Sequence, residues 1–204
     1  MLKELLKNKE FSRIIEKYLE KENILDIVLF GSSVKGKDEP NDIDILVLYS
    51  KEEKDIHDTA YLMRKELEKI YKNIDVIAEK YNDLFSSSFL ARESILSEGF
   101  SMKQKKYISD CFGYSSFILF KYKLKGLNKS RRMQFYYSLY GRGKGIGMLK
   151  KTKSYKFSDS VIFSPVENSD IIKSFFDKWK LEYAIFPILI PNKIAQYKLK
   201  NDNL

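Results

Sequence analysis

Residues 29–47 read LFGSSVKGKDEPNDIDILV. The apolar, β-branched run Ile24–Phe30 (ILDIVLF) stops at Gly31 and predicts a strand. A second strand is expected over Asp42–Tyr49 (DIDILVLY), entered from a polar loop that contains Pro40. Asp42 and Asp44 are two residues apart, so on a strand they share one side, while Ile43 and Ile45 turn to the other and into the core. Two carboxylates on one face repel each other unless a positive charge sits between them. A hard divalent cation that takes oxygen ligands, Mg²⁺ above all, meets that need. Gly31 and Ser32 close the first strand. Glycine permits close backbone approach, and free N–H groups at the start of a turn can hold phosphate oxygens. A third strand over 74–78 brings Asp75 (NIDVIA) alongside the pair. Three carboxylates beside such a turn are the equipment for two-metal phosphoryl or nucleotidyl transfer.

Helical spacing surrounds these strands. Leu2, Leu5, Leu6, Ile14, Ile15, Tyr18 and Leu19 predict one amphipathic helix over 2–20. A second helix is expected over 52–72, closed by Asn73, and a third over 83–98. His57 falls on a helix surface, Cys111 reads as a small buried residue, and Lys35 and Lys37 read as ordinary loop lysines outside the site.

Composition divides the chain near residue 100. Residues 1–99 hold 16 Lys/Arg against 21 Asp/Glu, a net of −5; residues 100–204 hold 21 against 7, a net of +14. Of the 29 aromatic residues, 20 lie in the second part. The expected domains are therefore 1–102 and 103–204, the latter basic and aromatic-rich. Such a half suits an anionic macromolecule, with counterion release for affinity and aromatic rings for base stacking. Arg131, Arg132, Arg142 and Lys144 are the candidate nucleic-acid contacts. The last two lie in the run Gly141–Gly147 (GRGKGIG), which reads either as a flexible phosphate-wrapping loop or as a plain linker.

Beyond residue 100, periodicity leaves 107–124 open between helix and strand. Asn128 or Ser130 caps a basic helix that ends at Gly141, and 148–166 reads as a hairpin turning near Ser158-Asp159. Ser169 or Asp170 caps a helix through Trp179, followed by a strand over Tyr183–Ile190. One cysteine and one histidine exclude a disulfide framework, a cysteine-based zinc cluster and sites built from several imidazoles. No membrane-spanning run and no signal-peptide core is read, so a cytoplasmic protein without a membrane partner is expected.

Gly31, Ser32, Gly36, Asp42, Asp44 and Asp75 together resemble the pattern of the DNA polymerase beta-like nucleotidyltransferase superfamily, in particular its minimal branch. The stretch ARESILSEGFSM is similar to the final helix of that branch, so the resemblance covers about residues 1–102. Asn41 stands where the family usually has Ser, and the Gly-Ser to Asp spacing is one residue shorter than the commonest form. The fold this implies for 1–102 is a nucleotidyltransferase domain with a small mixed sheet flanked by helices; with the basic α+β domain read from composition and pattern in 103–204, the expected class is α/β (α+β). The implied reaction is attack of an acceptor hydroxyl on the α-phosphate of a nucleoside triphosphate, ATP being the expected one. Asp42, Asp44 and Asp75 would be the catalytic and metal-holding residues for two Mg²⁺ ions. Gly31 and Ser32 would bind the β- and γ-phosphates. RNA or another polyanion is the expected acceptor. The alternatives are a protein acceptor, as in adenylyltransferases of the toxin–antitoxin type, and a non-catalytic nucleic-acid-binding module.

Overall fold

The computed structural model describes residues 2–36, 42–50 and 56–195. The chain divides into two compact units, 1–112 and 113–204. Each has its own sheet.

The first unit opens with two short helices, α1 (Leu2–Lys7) and α2 (Lys9–Leu19), where the apolar spacing predicts one. The break is Asn8. Its Oδ1 accepts from the backbone N–H of Glu10 (3.0 Å) and Phe11 (3.1 Å), capping α2, and its Nδ2 donates to the Tyr71 hydroxyl (3.0 Å). The two helices continue the same apolar stripe, which is why periodicity does not register the break. Then follow β1 (Ile24–Phe30), β2 (Ile43–Tyr49), α3 (Ile56–Leu67) and β3 (Ile74–Lys80). The start of the expected 52–72 helix lies outside the described residues.

Where one helix is expected over 83–98, the chain makes a 3₁₀ turn (Tyr81–Phe85) and a separate helix α4 (Arg92–Glu98). Between them Ser86 and Ser88 bond to one another (2.7 Å), and the Ser88 N–H donates to Ser86 Oγ, local bonds that compete with a continuous helix. β4 (Phe100–Ser101), β5 (Lys106–Tyr107) and α5 (Ile108–Cys111) complete the unit.

The sheet order is β3-β2-β1-β4-β5, with β2 and β3 parallel and the other pairs antiparallel. Because β4 pairs with both β1 and β5, residues 103–112 belong with the first unit, ten residues past the boundary that composition suggests. On one face Ile27, Leu29, Ile43, Ile45 and Val47 pack with Leu5, Phe11, Ile15, Met63 and Leu67. On the other, Val28, Leu46 and Leu48 pack with Ile95 of α4. His57 is exposed on α3. Cys111, expected to be buried, is exposed: it falls in the short α5, at the edge of its unit.

The second unit has a four-stranded antiparallel sheet of order β7-β8-β6-β9. Its elements are β6 (Tyr114–Lys123), α6 (Lys129–Tyr140), α7 (Met148–Lys151), β7 (Tyr155–Ser158), β8 (Val161–Pro165), α8 (Ser169–Lys178) and β9 (Glu182–Pro191). β6 lies between β8 and β9 and buries Phe117, Ile118, Phe120 and Tyr122 on both of its faces, which removes the alternation that would have marked it as a strand. Pro187 and Pro191 sit in β9, an edge strand, where a missing N–H is tolerated.

Asn128 caps α6 through Arg131 N (2.9 Å), and the helix stops at Gly141. The first part of the expected 148–166 hairpin is helical, as α7, and α8 begins after Asn168 without a side-chain cap. Among the described residues no helix is long and apolar enough to cross a membrane. Replacing Asn8 with Ala should lower stability by about 1 kcal/mol, read as a shift in the denaturation midpoint at unchanged slope; no shift would mean that the cap contributes nothing.

Candidate active site

The candidate acids gather at one edge of the first sheet. The parallel register of β2 and β3 sets Asp44 directly opposite Asp75, and in-register neighbours project from the same face. That face is the one carrying Val28, Leu46, Leu48 and α4. Asp42 precedes β2 by one residue and is exposed; Asp44 is half-buried; Asp75 is exposed.

The electrostatics report the same closeness. Burial, then repulsion from Asp42 and from Asp75, pushes the Asp44 carboxyl above the usual carboxylate range, while Lys35 pulls it back. Asp75 leans toward α3, its Oδ1 3.9 Å from Arg64 Nη1. Among the described residues no three His, Cys, Asp or Glu side chains are drawn together closely enough to hold a metal ion. Asp44 and Asp75 share a face, and Asp44 is repelled by both Asp42 and Asp75, without a closed cage forming among the described residues. Their chemistry nevertheless fits a hard divalent cation: anionic oxygen donors only, at a spot where negative charge is already costly.

The Gly31 turn approaches from β1. Phe30 pairs with Asp44, and Gly31 then enters a 3₁₀ turn (Gly31–Val34) at φ +71°. A Cβ at residue 31 would collide with Asp44 Oδ2, so glycine is needed both for the backbone angle and for the space beside the carboxylate. Ser33 is buried and its hydroxyl donates to Phe30 O (3.1 Å). Ser32 is more open, and among the described residues its Oγ makes a long contact to Asp42 O at 3.5 Å, which links the turn to the start of β2. Gly36 follows at φ +87°.

Lys35, read from the sequence as an ordinary loop lysine, belongs to this edge. Its Nζ lies 2.8 Å from Oε2 of Glu98, a buried residue at the end of α4, at an angle outside hydrogen-bond geometry, so the contact is Coulombic. A glutamate ending a helix is an unremarkable signal; only the packing of α4 against the turn gives it a partner. Lys37 and Asn41 lie outside the described residues.

The four candidate cations of the second unit do not form one patch. Arg131 and Arg132 stand at the start of α6, while Arg142 and Lys144 follow its end, with about 14 Å of helix at 1.5 Å per residue between Arg131 and Tyr140. Arg131 covers the Trp179 ring at 5.9 Å, and Arg132 Nε donates to Leu127 O (2.8 Å). Arg142 lies over the Tyr137 ring at 4.7 Å, and Lys144 is exposed. The glycine run is a compact turn: Gly145 N–H donates to Arg142 O (2.9 Å), and a Cβ on Gly147 would strike the backbone of Tyr140 and Gly141.

Comparison with known proteins bears on the first unit. The family described as "Polymerase beta, Nucleotidyltransferase" matches residues 13–99. Curated proteins give no match. Two solved structures are similar to part of the chain. One is a toxin–antitoxin with AMP-PNP, at 24% identity over 45% of this chain and 71% of that one, with a TM-score of 0.34. The other is a mutant of the toxin–antitoxin MntA-HpeT, at 20% identity over 45% and 70%, also with a TM-score of 0.34. The family match spans β1, the Gly31 turn, β2, β3 and α4, the elements that carry the acids and the turn, and so residues 13–99 of this chain are a nucleotidyltransferase domain of the polymerase beta-like superfamily.

Proposed function

We propose that this domain moves a nucleoside monophosphate from a nucleoside triphosphate, ATP in our reading, to an acceptor hydroxyl, with pyrophosphate as the leaving group. The observation that carries the reading is the Asp44–Asp75 register on the face that also receives the Gly31 turn. Asp42, Asp44 and Asp75 are the residues that would hold Mg²⁺, two ions in our reading. When bound, the ions supply positive charge where it develops on the attacking and leaving oxygens.

The chain's own groups do the rest. Gly31 offers a bare backbone at the turn, and Ser32 a hydroxyl held only by a long bond to Asp42 O among the described residues, for the β- and γ-phosphates. Lys35, steadied by Glu98, adds a cation at the same rim and offsets part of the carboxylate repulsion. Asp75, exposed and at the outer strand of the three, is placed to accept the proton of the incoming hydroxyl. The acceptor we read as RNA, because residues 113–204 hold 18 Lys/Arg against 6 Asp/Glu.

With labelled triphosphates and Mg²⁺, the wild-type chain should label RNA, and Asp42→Asn or Asp44→Asn should reduce incorporation to background. Retained turnover in either folded variant would remove this mechanism; label on protein instead of RNA would change the acceptor.

Stability should move the other way. A carboxyl whose folded-state pKa is raised lends most stability when protonated, below its ordinary value of about 3.9, and loses it as pH rises through the folded value. Without divalent ions, Asp44→Asn should therefore melt higher than wild type at pH 7. The difference should vanish toward pH 4. A lower Tm at pH 7 would contradict the electrostatic account of this edge.

A further inference from the structure

The second unit holds a cavity of about 220 Å³ that the transferase reading leaves unused. Its walls come from the end of β6, the start of α6 and the turn between α8 and β9, and include Lys123, Lys125, Arg131, Trp179, Lys180 and Glu182. Four cations thus face one carboxylate. Lys123 Nζ lies 3.6 Å from Glu182 Oε2 and is answered. Among the described residues, Lys125, Arg131 and Lys180 have no carboxylate partner, so the cavity has an uncompensated positive charge.

Backbone bonds fix the two elements that face each other across the cavity. α8 ends in a paired cap, with Lys180 N–H donating to Asp177 O (2.9 Å) and Leu181 N–H to Phe176 O (3.2 Å). That cap sets Trp179 and Lys180 and holds Lys180 at φ +52°. The indole is wedged by Phe135 (centroids 5.5 Å apart, 84° between planes) and Phe175 (6.4 Å, 63°). Opposite, the Asn128 cap and the Arg132–Leu127 bond hold the start of α6, where Arg131 lies over the indole.

An indole under a guanidinium, in a cavity also lined by Lys125 and Lys180, matches a ligand that has both a planar ring and phosphate. Size narrows it. Sites that enclose a whole small molecule run to about 300–1,000 Å³, so this one suits a single unit of something longer. Bases in a duplex remain stacked and paired, which leaves a single strand.

We propose that this cavity takes one nucleotide of a single-stranded RNA, its base against Trp179 and Arg131 and its flanking phosphates on Lys125 and Lys180. The choice of RNA rests on the acceptor reading above, and the site deepens that reading by naming where the strand is held.

Trp179 is the chain's only tryptophan, so its emission reports on this cavity alone. The full chain is titrated with hexauridylate, with UMP and with inorganic polyphosphate at low and moderate salt. No triphosphate or divalent ion is present, so the result does not depend on transfer chemistry. Hexauridylate should quench Trp179, with affinity falling as salt rises, and UMP should bind about tenfold more weakly or worse. Arg131→Ala should weaken hexauridylate about tenfold. Lys180→Gly should weaken it about threefold while leaving Tm equal or higher, because glycine accepts the positive φ, an outcome that a merely structural role for Lys180 would not give. Absence of quenching by hexauridylate, equal quenching by polyphosphate, or unchanged affinity in both variants would overturn the site.

Discussion

The parallel register of β2 against β3 is the constraint on which the chemistry proposed for the first unit depends. It sets Asp75, thirty-one positions along the chain from Asp44, directly beside it. A slip of one residue would turn the whole of β3 over, sending Asp75 to the face packed by α1, α2 and α3 and bringing Ile74 and Val76 to the acidic edge. The hydrophobic pattern forbids that slip. Ile74 and Ala78 are buried in the larger core cluster, while Ile77 packs with Val28, Leu46 and Leu48 on the other side. Burial of apolar side chains on both faces thus fixes where the acids go.

Placing like charges together is unfavourable, and the surrounding groups limit rather than abolish that cost. Asp44 is half-buried, and burial first, then repulsion from Asp42 and Asp75, raises its pKa. Lys35 offsets a part and is itself tied to the buried Glu98. Gly31 keeps the side of Asp44 clear where any larger residue would intrude. An edge whose carboxylates are only partly balanced by Lys35 is the observation behind the proposal that positive charge comes from outside the chain.

Much of this was legible in the sequence because it rests on local signals. The strands β1, β2 and β3, the Gly31 turn and the Asp-x-Asp phase follow from alternation and from a glycine at a strand end, whereas the two-residue strands β4 and β5 are too short to show a pattern. What was not legible rests on tertiary placement or on competition between similar local signals. Asn8 interrupts an apolar stripe that runs on through both helices, and the serines at 86–88 substitute local bonds for a helical turn. Lys35 and Glu98 become partners only when α4 packs on the turn.

In the second unit, central burial masks the alternation of β6. The candidate cations Arg131, Arg132, Arg142 and Lys144 separate because α6 lies between the two pairs. Trp179 and Lys180 could not be read as a pair of walls, since a helix cap at positive φ is set by backbone bonds rather than by residue type.

In the proposed mechanism Asp44 and Asp75, brought side by side by strand register, and Asp42 just before β2 hold divalent cations beside a triphosphate. Counting bound Mn²⁺ by electron paramagnetic resonance, with a non-hydrolysable ATP analogue present, tests it most directly. The account predicts about two ions per chain, with one lost in Asp75→Asn and both lost when Asp42 and Asp44 are replaced together by Asn. Binding of no Mn²⁺, or a count indifferent to all three aspartates, would contradict it.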